Sequence, residues 1–182
     1  MKQTVGIFGL GIMGSAMSAN LLKAGFTVVG YDIASQRGAV FAALGGRLAA
    51  SPAAVADQAE ILITVLPSVH ALEDVVAGPA GILAAQRKHQ ILVESSTLPI
   101  EDKERIRDVC QGRVTMLDCP LSGTGAQALT RDLVVYGSGE EMAFERCREV
   151  FEGFARSSHH LGVFGNGSRM KFVANLLVAI HN

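Results

Sequence analysis

Gly9-Leu10-Gly11-Ile12-Met13-Gly14 follows directly on the apolar run Val5–Phe8 and opens a helical stretch, Met13–Ala24. A strand that turns this tightly into a helix constrains the fold more than any other part of the chain. Gly9 permits the turn, Gly11 lets the backbone approach a diphosphate, and Gly14 lets helix close on strand. The helix N-terminus then offers free N–H groups and a positive dipole end to phosphate. Bare G-x-G-x-x-G patterns are common among turns, so context decides. Here Asp32 ends the next apolar run, Thr27–Tyr31, where a carboxylate can bond ribose hydroxyls. A carboxylate there repels a 2′-phosphate, which points to NAD rather than NADP. Arg37, five residues on, reads as a surface helix residue.

Short β-type runs alternate with helical ones along the rest of the chain. Ile61–Leu66, Gln90–Glu94, Val114–Leu117 and Leu133–Tyr136 are continuous apolar strands of the kind buried on both faces. Ser35–Ala43, Pro52–Gln58, Val69–Val76, Ile100–Gln111 and Glu140–Phe154 have helical spacing. Strand then helix, repeated, predicts right-handed crossovers and an α/β, Rossmann-type doubly wound, mostly parallel sheet. One such domain over residues 1–165 accounts for most of the chain. Residues 166–182 read as the start of a long helix. In it Phe172, Val173, Leu176, Leu177 and Ile180 share one side, while Lys171 and Asn175 lie one turn apart on the other. The pattern has no glycine cap or proline stop, so the expectation is a fragment of a longer protein.

Composition narrows the function classes. Of 182 residues, 49% are apolar and only 18% charged, which excludes a disordered chain. A net charge of −1, without a basic run, gives nucleic acid no footing. No apolar run approaches a membrane span. The N-terminus makes a poor secretory signal, because its glycines interrupt the apolar core and Lys2 is its only basic residue. Cys110, Cys119 and Cys147 are odd in number and lack zinc-ligand spacing, so neither a disulfide framework nor a metal site is expected. Cys119 reads as a small apolar filler. The chain reads as cytoplasmic.

Three further segments sit where strands end, the edge along which open α/β sheets bind ligands. Leu66-Pro67-Ser68 closes one strand, and Ser95-Ser96-Thr97 closes the next with free hydroxyls. Asp118-Cys119-Pro120-Leu121-Ser122-Gly123-Thr124 is a proline-stiffened loop whose hydroxyl and N–H groups suit a small carboxylate. Each segment alone is equally ordinary turn chemistry.

Read in order, GLGIMG, YD, LPS, SST, DCPLSG and KFVAN resemble the β-hydroxyacid dehydrogenase family from Val5 to Asn182. That resemblance implies an NAD-linked oxidoreductase acting on a small β-hydroxyacid, with an all-helical C-terminal domain that builds homo-oligomers. It implies that Lys171 is the catalytic acid/base and that Asn175 orients substrate. Ser122, Gly123 and Thr124 would hold the substrate carboxylate. Gly9, Leu10, Gly11, Ile12, Met13, Gly14, Asp32, Leu66, Pro67 and Thr97 would hold the cofactor. The family's loop usually reads S-G-G, so Thr124 is expected to narrow the pocket. A second family lysine lies beyond residue 182, and the chain by itself is expected to bind NAD but turn over poorly. The alternatives are a non-catalytic dinucleotide-binding module and a related reductase of imines or larger sugar acids.

Overall fold

The computed structural model describes residues 2–181. Strands β1 (Thr4–Phe8), β2 (Thr27–Tyr31), β3 (Arg47–Leu48), β4 (Ile61–Thr64), β5 (Gln90–Glu94) and β6 (Val114–Asp118) form one six-stranded sheet, in the order β3-β2-β1-β4-β5-β6. Every pairing in it is parallel. All of these C-terminal strand ends therefore share one edge. The order reverses beside β1, which makes its carboxyl end the topological switch point of a doubly wound sheet.

Helices α1 (Ile12–Lys23), α2 (Ser35–Ala43), α3 (Pro52–Ala56), α4 (Val69–Ala77) and α5 (Ile100–Cys110) make the crossovers. Ser51 and Ser68 cap α3 and α4 by accepting backbone N–H bonds from Ala54 and Ala71, and Pro52 opens α3 where no N–H is needed. The strands are apolar at consecutive positions because each face has its own core. Val5, Ile7, Ile61, Ile63, Ile91 and Val93 join the cluster beneath α1. Phe8, Val29, Leu62, Leu92 and Met116 join the cluster on the opposite face.

Beyond β6 the chain departs from simple repetition. Leu133–Tyr136, expected in the parallel sheet, instead forms β8 of a separate three-stranded sheet. That sheet comprises β7 (Leu121–Ser122), β8 (Val134–Gly137) and β9 (Ser157–His160), with β7 antiparallel and β9 parallel to β8. The cause is Pro120, which has no N–H for a ladder. The chain reverses there, the Pro120 carbonyl accepts from Tyr136 N, and a lone Asp118–Ser138 bridge stitches the sheets together. A short helix, α6 (Gly125–Leu129), fills the connection. The helix expected over Glu140–Phe154 is two, α7 (Glu141–Arg146) and α8 (Arg148–Phe154). They meet at buried Cys147, whose N–H bonds Phe144 O at 3.0 Å in a tightened turn. The last helix, α9 (Asn166–His181), packs its first turns against β6, β7 and β8.

Gly167 permits that docking. A Cβ there would lie 2.2 Å from Tyr136 O and 2.7 Å from Asp118 O. Past this root the helix stands clear of the sheet, and Phe172, Val173, Leu176, Leu177 and Ile180 are all exposed. Among the described residues no helix is long and apolar enough to cross a membrane. No cluster of His, Cys, Asp and Glu among them could hold a metal ion. The three cysteines are free and buried. Burial pushes the Cys119 thiol well above its ordinary value, as suits an inert filler.

Candidate active site

The glycine turn lies at the switch point, and its glycines do different work. Gly9 has φ +89°, and a Cβ on it would meet Val65 O at 2.2 Å. A Cβ on Gly14 would meet Gly9 O at 1.9 Å, so helix and turn are in contact. Gly11 differs: its Cβ would have nothing nearer than the Arg37 guanidinium at 3.9 Å. Nothing in the protein's own packing crowds this glycine, so the backbone there is open to a ligand approaching from outside. The first turn of α1 has no side-chain cap, which leaves its N–H groups for an anion. These residues fit the diphosphate of a dinucleotide. Leu10 is buried and Met13 half-buried against the core, whereas Ile12 is 80% exposed. The Ile12 side chain reaches across to α6, where a Cβ on Gly125 would touch it at 2.7 Å. It thereby closes the gap between the glycine turn and the Ser122–Thr124 loop.

Asp32 braces the same turn. Its Oδ2 accepts from Leu10 N at 2.7 Å and its Oδ1 from Ala34 N at 2.8 Å. Each oxygen keeps a further lone pair for a ribose hydroxyl. Arg37, expected as an ordinary surface residue, is exposed but lies at this site, with Nη1 3.5 Å from Asp32 Oδ2. The two charges share the position at which a ribose or its phosphate would be read.

Leu66 follows β4, and its N–H donates to Ser96 Oγ at 2.8 Å, which ties two strand ends together. Pro67 and Thr97 are exposed at the same edge. Ser122 ends β7, half-buried, and Gly123 turns the chain at φ +137°, a conformation that favours glycine. Thr124 is extended and exposed, with φ −96°, so the loop does not require glycine at this position. It forms a capping box on α6: its Oγ1 accepts from Gln127 N, and its own N–H donates to Gln127 Oε1 at 2.9 Å. One backbone donor of the loop is engaged by a glutamine side chain.

Lys171 stands in the second turn of α9, half-buried, and burial pulls its ammonium below the ordinary lysine value. Asn175 is one turn further and exposed. Beside them an open cleft between α9 and the start of α5 is lined by Thr97, Leu98, Pro99, Ile100, Glu101 and Phe172. It includes one of the expected site residues, Thr97. What joins α9 to the strand ends is a buried polar cluster absent from the sequence expectations. Lys103 Nζ lies 2.9 Å from Asp118 Oδ1 and 3.3 Å from Glu94 Oε2, with all three side chains fully buried. The only sequence signal for Lys103 is its place in the stripe with Ile106 and Cys110 that α5 buries. Burial pulls its ammonium down, but the two carboxylates outweigh that and hold it above its ordinary value. Burial also pushes the Glu94 carboxyl above its ordinary range.

Comparison with known proteins agrees with this geometry. Residues 4–162 match the NAD binding domain of 6-phosphogluconate dehydrogenase. The mitochondrial 3-hydroxyisobutyrate dehydrogenase of Mus musculus is 34% identical over 180 residues, covering 98% of this chain and 54% of that protein. The L-threonate dehydrogenase of Cupriavidus necator is 31% identical over 183 residues, covering 100% of this chain and 62% of that one. The solved structure of Mycobacterium tuberculosis 3-hydroxyisobutyrate dehydrogenase with L-serine superposes with a TM-score of 0.90 at 31% identity. It covers 99% of this chain and 61% of that one. The chain therefore spans little more than half the length of these relatives.

Proposed function

The chain belongs to the family of the 6-phosphogluconate dehydrogenase NAD-binding domain, and from that premise we propose that it serves an oxidoreductase converting a small β-hydroxyacid to its carbonyl. The observation that carries this reading is the pairing of an uncapped glycine-turn helix with a half-buried lysine whose ammonium is destabilised by burial. NAD, when bound, supplies the hydride acceptor. The residues that would hold it are the Gly9–Gly14 turn for the diphosphate, Asp32 for the ribose, and Leu66, Pro67 and Thr97 along the strand ends. NAD is favoured over NADP because Asp32 puts a carboxylate where a 2′-phosphate would lie, although Arg37 beside it weakens the repulsion.

In the oxidising direction, neutral Lys171 accepts the hydroxyl proton as the substrate carbon gives up its hydride. In the reverse direction its ammonium returns that proton and stabilises the developing alkoxide. A lysine whose charged form is disfavoured becomes neutral at lower pH than a solvated one. Oxidation should therefore rise with pH through a value below that of free lysine. Asn175 does not titrate and orients the substrate. Ser122 and Gly123 would bind the carboxylate, with the Thr124 N–H released to it only when Gln127 turns away. The relatives named for 3-hydroxyisobutyrate and L-threonate, and the one solved with L-serine, support a small hydroxylated acid as substrate. The homo-oligomer belongs to the same proposal and is supported by the exposed apolar side of α9.

The test is to express the full-length protein carrying this chain and follow reduced-cofactor absorbance with NAD and with NADP. The substrates are 3-hydroxyisobutyrate, 3-hydroxypropionate, glycerate, serine and threonate. Turnover of at least one acid is expected, faster with NAD. Lys171→Ala should abolish that turnover by about 100-fold or more while cofactor affinity is kept. Cofactor binding without turnover of any acid would favour a non-catalytic dinucleotide-binding module instead.

A further inference from the structure

The buried cluster under the strand ends is larger than one ion pair, and its members come from the ends of β4, β5 and β6, from α5 and from the first turn of α9. Lys103 Nζ donates to Ser96 O at 2.7 Å and to Asp118 Oδ1 at 2.9 Å, and lies 3.3 Å from Ser168 Oγ. Ser96 in turn receives Leu66 N on its hydroxyl, and its own N–H points at the Glu94 carboxylate, 3.0 Å away. Four donors converge on Asp118 and fill its acceptor capacity. Lys103 Nζ and Ser168 Oγ reach Oδ1, the latter at 2.8 Å, while Ser168 N at 2.8 Å and Ser138 Oγ at 3.2 Å reach Oδ2. Ser138 Oγ also accepts from Gly167 N at 3.0 Å. The first turn of α9 is thus held by a buried bond from Gly167 N to the Ser138 hydroxyl and by charge-assisted bonds from Ser168 to Asp118.

We propose that Lys103, Asp118 and Ser168 are positioning residues, which fix the first turn of α9 and thereby set where Lys171 stands relative to the strand ends. The proposal rests on the reading that Lys171 transfers the proton. Ser168 and Lys171 are three residues apart, neighbours on one helix face and about 4.5 Å apart along the axis. Any slip or rotation of the first turn is therefore delivered to the lysine. A buried ion cluster is a poor device for stability, because well-packed apolar side chains of similar volume often do as well or better. It does supply direction. A tetrahedral ammonium and a planar carboxylate with every acceptor site filled allow a single arrangement of the three elements they join. The same hub grips Ser96 beside Thr97 and, through Asp118, the root of the Ser122 loop. Cofactor edge, carboxylate loop and proton-transfer helix consequently share one reference point.

The experiment compares wild type, Ser168→Ala and Lys171→Ala in the full-length protein. Ser168→Ala removes one donor to Asp118 and leaves the Lys103 ion pair and the Ser168 N–H bond, so the protein should fold. Its kcat should fall about tenfold, since small misplacements of a reacting group are costly. The KM for NAD should stay within about twofold. The pH at which kcat rises should move, and amides of the first turns of α9 should exchange faster with solvent. An unchanged kcat and pH profile in Ser168→Ala, even with a lowered melting temperature, would overturn the positioning role. Activity surviving Lys171→Ala would instead overturn the reading beneath it, so the two failures are distinguishable.

Discussion

Single residues at this site carry two duties, and Glu94 illustrates the cost. Its carboxyl is fully buried, and burial pushes it above the ordinary glutamate range despite the nearby Lys103 ammonium and the Ser96 N–H. The native state holds that proton more tightly than the unfolded chain does. The resulting stability is complete below the unfolded value and is lost as pH rises through the raised native one. Glu94→Gln, uncharged throughout, should flatten that decline. Urea unfolding of both proteins from about pH 4 to 8 measures it, and parallel profiles would show that Glu94 does not titrate in this window. Asp32 has a comparable double role. The sequence marks it as a candidate ribose ligand, but the two backbone bonds that make it a brace for the glycine turn are not legible there. Those bonds depend on where Leu10 and Ala34 come to rest, which only the folded turn decides.

At the level of elements, the joint between α9 and the two sheets is the critical one. Gly167→Ala would press a methyl against the carbonyl oxygens of Tyr136 and Asp118. Neither is the end of a flexible side chain, so the helix must shift or the strand must yield. Overpacking of this sort costs about 1–3 kcal/mol, read as a lower denaturation midpoint with the denaturant slope unchanged. Turnover should fall with it if the root of α9 sets Lys171. Nothing in the sequence singles out this glycine, which lies in no motif. The other five parallel strands of the large sheet, all but the two-residue β3, were by contrast legible to within two residues, because continuous apolar runs between turn residues have few other uses. β7 and β9 escaped notice because they are short and polar: Ser157-Ser158-His159-His160 looks like a loop until β8 offers it a partner. Lys103 escaped for a different reason. One lysine in a helical stripe is ordinarily solvated, and only the convergence of Glu94 and Asp118, 24 residues apart in sequence, makes its burial affordable.

On the scale of the whole molecule, the glycine turn and Asp32 are braced within the large sheet's edge, whereas the apolar stripe of α9 is exposed. Phe172 and Leu176 are 43% and 59% exposed, in a stripe of the kind that soluble proteins normally cover. Residues 1–182 expressed alone should accordingly bind NAD, since the glycine turn and Asp32 need nothing further. They should turn over hydroxyacids at least about 100-fold more slowly than the full-length protein, because a cleft open on this side does not exclude water. Calorimetric titration with NAD and a steady-state assay of both proteins measure the two halves of that statement. Full activity in the short chain would mean that α9 and the sheet suffice as they are.

A helix rooted at Gly167 and Ser168 behaves as a lever hinged at its own first turn. Lys171 is five residues from Asn166 and Ile180 fourteen, so a displacement at Ile180 reaches Lys171 diminished to about a third. Whatever leans on the outer turns can thus jostle the stripe of Leu and Ile while Lys171 keeps nearly to its place. Lys171 is mounted close to the wall, and the traffic is left to the outer turns.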